Sequence, residues 1–351
     1  MSDTTITNKQ AYVPVDADFR LKENAAEIEV DSNFASQSFW KEVIARFWRK
    51  KSAVLGLVFV LLITFLAFVG PYMNEYTYSG QDLAKKNLAP RIPLIEYTGF
   101  FDGHENIATT TGTKTVNYYF ENKLGDVFYW FGSDNFGRDI WTRTWSGAQV
   151  SLIIAIAAAI IDMIIGMSYG LISGYFGGKV DMVMQRFLEI ANGIPRLVIV
   201  TLLLLIFKPG MLTIIIALML TEWVGMSRIA RAEMLKLKEQ EFVLASRTLG
   251  AGSMHIIFSE ILPNIIGPII TQVMFSIPTA IFTEAFLSFV GLGIPVPRCS
   301  LGSLISEGFN SFTTHPYQII PPIIVMALLM LSFNLVADGL REALDPKLKE
   351  M

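Results

Sequence analysis

Three acidic side chains sit inside otherwise apolar stretches of this chain: Asp162, Glu222 and Glu284. A carboxylate at the centre of a lipid bilayer costs several kcal/mol unless it is paired, hydrated or protonated, so each is a candidate for lining a polar route. Glu284 lies between the helix breakers Pro278 and Gly291, with Ser288 one turn beyond it. Glu284 and Ser288 are expected to line a translocation pathway or contact a gate; the alternative is a buried structural hydrogen bond to a neighbouring helix. Asp162 is the second pathway candidate, and Glu222, close to the end of its stretch, is expected to be solvated. Gly174, Gly177, Gly178 and Lys179 resemble a phosphate-binding loop only faintly, because Ser173 stands where the first glycine is needed and Val180 follows the lysine. His104, His255 and His315 all fall outside the apolar stretches, so no Ser-His pair is available within the bilayer for hydrolysis. The single Cys299 rules out an internal disulfide framework and a multi-cysteine metal site. No catalytic residue, metal or cofactor is expected.

These residues need elements that lie in lipid. The 351 residues are 52% hydrophobic and only 17% charged, against about a quarter charged in soluble domains, and the mean hydropathy is +0.46. A net charge of −3 gives no field for nucleic acid. A hydrocarbon core about 30 Å thick takes roughly 20 apolar helical residues to cross. Residues 53–73, 148–172, 188–207, 211–227, 264–291 and 317–338 meet that need, and the fold class is an all-α integral membrane protein with six transmembrane helices. Sixteen lysines and arginines flank the span ends on one side of this arrangement, while the two short loops opposite hold only Lys208 and Arg298. Positive charge accumulates in the cytoplasm, so both termini are expected there.

The polar segment 1–37 has no apolar core and reads as a disordered cytoplasmic tail rather than a cleavable leader. Ser38 is placed to cap a helix over 38–51 whose Phe39, Trp40, Val43, Ile44, Phe47 and Trp48 share one face, a pattern suited to the membrane interface. The first span, 52–73, is followed by an extracytoplasmic insertion, 74–147, and a core of five further spans, 148–340. A cytoplasmic tail, 341–351, closes the chain. Within the core, the loop 228–263 is the most informative stretch. Residues 233–249 suit a helix, Gly250 a left-handed stop, and Ser253 the cap of a short second helix ended by Pro263. The resulting elbow has small residues at its tip, Ala245, Ser246, Gly250, Ala251 and Gly252, which permit docking into a groove on another protein.

The run from Glu241 through Ala245, Ser246, Arg247 and Gly250, with Pro263 thirteen residues beyond, resembles the coupling loop of permease subunits of ABC importers. Leu244, Ser246 and Glu260 depart from that pattern, which favours Glu, Ala and Ile there. Ser133–Asp139, Thr283–Gly293 and Leu340–Pro346 narrow the resemblance to the second membrane subunit of oligopeptide and dipeptide importers. It implies the type I importer permease fold and a coupling role for Glu241, Ala245, Ser246, Arg247, Gly250, Ala251, Gly252 and Pro263. The implied partners are a homologous second permease, two ATPase subunits that hydrolyse ATP, an extracytoplasmic peptide-binding lipoprotein and the bilayer of a bacterial cytoplasmic membrane. Dipeptides or nickel chelates are the alternative cargo. A proton-coupled carrier, with Asp162 and Glu284 titrating, is the competing class.

Overall fold

The structure, a computed structural model, describes residues 39–109 and 112–345. The expected tail 1–37, the capping Ser38 and the chain end from Pro346 lie outside the described residues. The amphipathic stretch expected at the membrane interface forms a helix, α1 (Phe39–Arg49), and α2 (Lys51–Val69) follows after Lys50, prolonged by a 3-10 turn to Tyr72. Next comes an antiparallel hairpin, β1 (Glu105–Thr109) and β2 (Gly112–Val116), with Glu105 opposite Val116, and then the single turn α3 (Tyr118–Glu121). The rest is helical: α4 (Ile140–Phe176), α5 (Gly178–Gly193), α6 (Arg196–Ile206), α7 (Met211–Thr221), α8 (Trp223–Leu237), α9 (Glu241–Thr248), α10 (Ser253–His255), α11 (Leu262–Leu287), α12 (Leu301–Asn310) and α13 (Ile320–Leu344).

Five unbroken helical runs are long and apolar enough to cross a bilayer: Lys51–Tyr72, Ile140–Phe176, Met211–Leu237, Ser253–Leu292 and Pro316–Leu344. The expected third span, 188–207, does not form as one helix. It is divided between α5 and α6, which bend by 79° at Ile194-Pro195, and only as a broken pair do they make a sixth crossing. Pro195 drives its predecessor out of the helical region, and Ile194 is extended at ψ 124°. Eleven residues of α6 reach only about 16 Å, half the hydrocarbon thickness.

The longest helix, α4, runs through the middle of the packing and touches α2, α7, α8, α11, α12 and α13. Ala148, Leu152, Ala155 and Ala159 of α4 bury against Ile63 of α2, Ile214 and Leu218 of α7, Ile281 of α11 and Leu329 of α13. Its lower third packs closely on α8. Gly166, Gly170 and Gly174, one turn apart, face Trp223, Ser227, Ala230, Arg231 and Met234. Small residues at that spacing let membrane helices approach closely, and a Cβ at Gly170 would stand 2.8 Å from the Ala230 Cβ. Large apolar side chains such as Leu55, Leu61 and Phe65 of α2 remain exposed, as lipid-facing positions require.

Candidate coupling turn and buried polar junctions

The loop between α8 and α11 is folded rather than open. The single helix expected over 233–249 is broken: α8 stops at Leu237, the chain turns through Lys238–Gln240, and α9 starts at Glu241. Had α8 continued, Val243 would lie about 14 Å along the axis from Met234. The bend returns it instead to one cluster with Met234, Ile256, Ile257 and Ile261, where it is fully buried. Lys238 Nζ pins the corner by donating to the Gly174 carbonyl at 3.1 Å. The end of α9 is closed by Gly250 at φ +85°, with Gly250 N–H donating to Arg247 O and Ala251 N–H to Ser246 O, each at 3.0 Å. That bond pair is a complete Schellman motif, which satisfies two terminal carbonyls. Ala251 packs under the turn onto the Val243 cluster.

Two expectations for this loop fail. Gly252, not Ser253, holds the N-cap position of α10, with no side-chain cap. Pro263 does not end the helix; the run continues from Ser253 to Leu292 through a π-helical turn at Ile256–Ile261. Pro263 then falls in the first turn of α11, where a missing N–H is tolerated. The departures from the family pattern, Ser246 and Glu260, meet each other: Ser246 Oγ donates to Glu260 Oε1 at 3.2 Å. Arg247 lies 5.7 Å from the Tyr175 ring centre. Around this fixed frame, Glu241, Phe242, Leu244, Ala245, Met254 and Phe258 are exposed, and Leu249 at the tip is 88% exposed. A leucine so bare on a rigid turn presents an apolar knob to whatever lies beside it.

The membrane acids occupy separate junctions. Asp162 Oδ2 accepts from Ser276 Oγ at 2.6 Å, joining α4 to α11, while its buried Oδ1 has no hydrogen-bond partner among the described residues. Glu284 is completely enclosed: Ser288 Oγ donates to Oε1 at 2.7 Å and Ser151 Oγ to Oε2 at 3.0 Å. Ser151 also accepts from Leu301 N–H, and Ser288 contacts Ser300, the cap of α12. Glu284 thus stands where α4, α11 and α12 meet. Ser151 and Asp162, eleven residues apart on α4, put the two acids about 16 Å apart along its axis, so they do not form one site. Glu222, expected to be solvated, is instead paired: Arg196 Nη1 donates to its Oε1 at 2.7 Å, joining the start of α6 to the corner between α7 and α8. Reading the sequence also missed Asp181, whose carboxylate takes both Arg231 bonds, at 2.7 and 2.6 Å, tying α5 to α8.

Comparison with known proteins decides the family. Residues 166–350 match the family described as "Binding-protein-dependent transport system inner membrane component", and residues 38–90 match "N-terminal TM domain of oligopeptide transport permease C". The chain belongs to this permease family. Among its relatives is the oligopeptide transport system permease protein OppC of Bacillus subtilis, 39% identical over 327 residues, covering 93% of this chain and 95% of that one. The dipeptide transport system permease protein DppC of Lactococcus lactis is 41% identical, with 89% and 92% covered. An inward-facing structure of the MetNI methionine ABC transporter superposes with a TM-score of 0.50 at 16% identity, covering 58% of this chain and 96% of that one; it supports the fold alone.

In this permease the Ser133–Asp139 motif locks the segment before α4 onto the stretch after α11. Asp134 accepts from Arg138 Nε at 2.6 Å and from the backbone N–H groups of Phe136 and Arg138. Arg138 and the fully buried Arg143 both reach Glu307 on α12, at 2.7 and 2.8 Å. Ser133 O accepts from Gln318, and Asn135 donates to Ser311 Oγ at 2.7 Å. Asp139 caps α4 through the Thr142 N–H at 2.8 Å; burial holds its carboxyl above the usual carboxylate range despite bonds from Thr142 and Asn74. The helix therefore begins at Ile140, eight residues before the expected span.

Proposed function

We propose that this permease is one of two membrane subunits of an ABC importer for peptides, oligopeptides foremost, and forms half of the translocation pathway with a homologous partner. Its relatives' names include both oligopeptide and dipeptide transport, so the peptide backbone is the shared feature of the cargo. Two ATPase subunits hydrolyse ATP, and the turn formed by Glu241, Ala245, Ser246, Arg247, Gly250, Ala251, Gly252 and Pro263 carries their movement into α8 and α11. An extracytoplasmic binding lipoprotein delivers peptide to the 74–139 segment and the 295–316 loop. Both termini face the cytoplasm of a bacterial cell, in agreement with the lysine and arginine distribution. Asp162, with one carboxylate oxygen unpartnered among the described residues, lines the polar path that a solvated peptide backbone requires. Glu284 and Ser288 hold the gate by fastening α12 to α11.

The observation that carries the coupling role is the bare Leu249 on a turn held by the Schellman bonds and by buried Val243. Leu249→Cys in the assembled complex tests it by cross-linking. Burial pushes the native Cys299 thiol up to about 11, so it stays silent toward maleimides near neutrality. A cross-link from position 249 to an ATPase subunit is expected. No cross-link, with free reagent labelling of the same cysteine, refutes the docking role.

A further inference from the structure

We infer that the junction of α1, α2 and α13 is a binding site for the phosphate headgroup of an anionic phospholipid. A cleft of about 440 Å³ is lined there by Arg46, Arg49, Lys50, Gly339, Glu342 and Ala343. Three cations face one carboxylate, so the lining keeps an excess of positive charge. Lys50 Nζ is engaged by Glu342 and by the Asp338 carbonyl at 3.4 Å, and Arg46 Nη1 by the Asp345 carbonyl at 3.3 Å. The exposed Arg49 guanidinium has no hydrogen-bond or ion-pair partner among the described residues. A guanidinium is built to grip a phosphate with two parallel N–H bonds.

The floor of the cleft is set by Gly339 and Ala343, one turn apart on α13, whose small size lets α13 pack closely on α1 and α2. A Cβ at Gly339 would stand 3.1 Å from the Phe47 ring and collide with Ala53. Its depth in the bilayer follows from the neighbouring elements. Lys50 immediately precedes the apolar span that begins at Lys51, and Ile44 and Trp48 of α1 are 55% and 59% exposed. Apolar side chains bared on a helix just outside a span belong at the boundary between acyl chains and headgroups, where lipid phosphates lie. The cleft therefore opens at the level at which a phospholipid presents its phosphate, rather than in bulk water. This inference rests on α2 lying in a bilayer and not on the coupling role of α9, so failure of the cross-linking test leaves it standing.

The test is native mass spectrometry of the full-length permease in its complex, equilibrated with vesicles of phosphatidylglycerol and phosphatidylcholine in equal amounts. Preferential retention of phosphatidylglycerol is expected. Arg49→Gln should lower that preference about fivefold, the effect of one cation at an anionic surface, and Arg49→Lys should keep most of it. Arg186→Gln, an exposed charge-matched control on α5, should leave it unchanged. Equal retention of the two lipids, or equal effects of Arg49→Gln and Arg186→Gln, overturns the site. Displacement of the lipid by millimolar inorganic phosphate also overturns it, by making the occupant a soluble anion.

Discussion

Replacing Gly250 separates backbone shape from packing at the proposed coupling turn. Its φ of +85° lies in the left-handed region, yet a Cβ built there meets no atom within 4 Å. A substitution therefore costs conformational energy without steric clash inside this chain. For a β-branched residue the cost is about 1–3 kcal/mol, whereas asparagine tolerates the left-handed region far better. One to two kcal/mol shifts a two-state turn by a factor of about 5–30. Since Gly250 and Ala251 N–H groups close the α9 end, the population lost is the one that fixes Leu249 in place. Gly250→Val should therefore cut peptide-stimulated ATP hydrolysis by about an order of magnitude in a reconstituted complex that still assembles. Gly250→Asn should retain most of it, and basal hydrolysis should change little in either. Equal stimulation in valine, asparagine and wild-type complexes would falsify the idea that this turn must hold its shape.

Glu307→Gln leaves the buried guanidinium of Arg143 without its close ionic partner. Because the Glu307 side chain is 36% exposed, the loss should fall below the 3–5 kcal/mol of a fully buried pair, at about 2 kcal/mol. Earlier thermal unfolding and faster proteolysis within residues 74–139 are expected, and wild-type behaviour in both assays counts against the lock. Gly170→Ala forces a methyl against Ala230 and the Arg231 backbone and should destabilise by about 1–3 kcal/mol. Gly225→Ala on α8 meets open space and should be neutral or stabilising, so equal unfolding temperatures for the two variants refute the tight α4–α8 contact.

What the sequence revealed follows from which interactions are local. The charge-free run in α2 and the apolar centres of α4, α11 and α13 are legible because no other environment accepts twenty such residues in succession. The left-handed stop at Gly250 is legible for the same reason: its cause lies within a few residues. The start of α4 was hidden, because Thr142, Arg143 and Thr144 look like loop residues until Glu307, 164 positions away, is brought beside Arg143. The break between α8 and α9 was hidden too. Leu235 through Phe242 are acceptable helix formers, and the bend rests on tertiary contacts, the burial of Val243 and the Lys238 bond to the Gly174 carbonyl. The stripe Gly166, Gly170 and Gly174 is a small-residue helix-packing pattern, but nothing in the sequence alone says that α8 is the helix it meets. Glu284 stands out in the sequence as an acid within an apolar run, with Ser288 one turn beyond it, while its second serine partner, Ser151 on α4, could not be read from its own span.

The 37 residues of α4 form a continuous shaft about 55 Å long, from the cap at Asp139 to Gly177. Its upper end is anchored beside the Arg143–Glu307 knot, and its lower third packs on α8 through glycines that leave no room for a methyl group. A tilt imposed at the α8–α9 corner therefore has little compliance in which to dissipate along this shaft, and it reaches the residues that fasten the segment before α4. Under the proposed coupling role, the two ends of α4 move as one body.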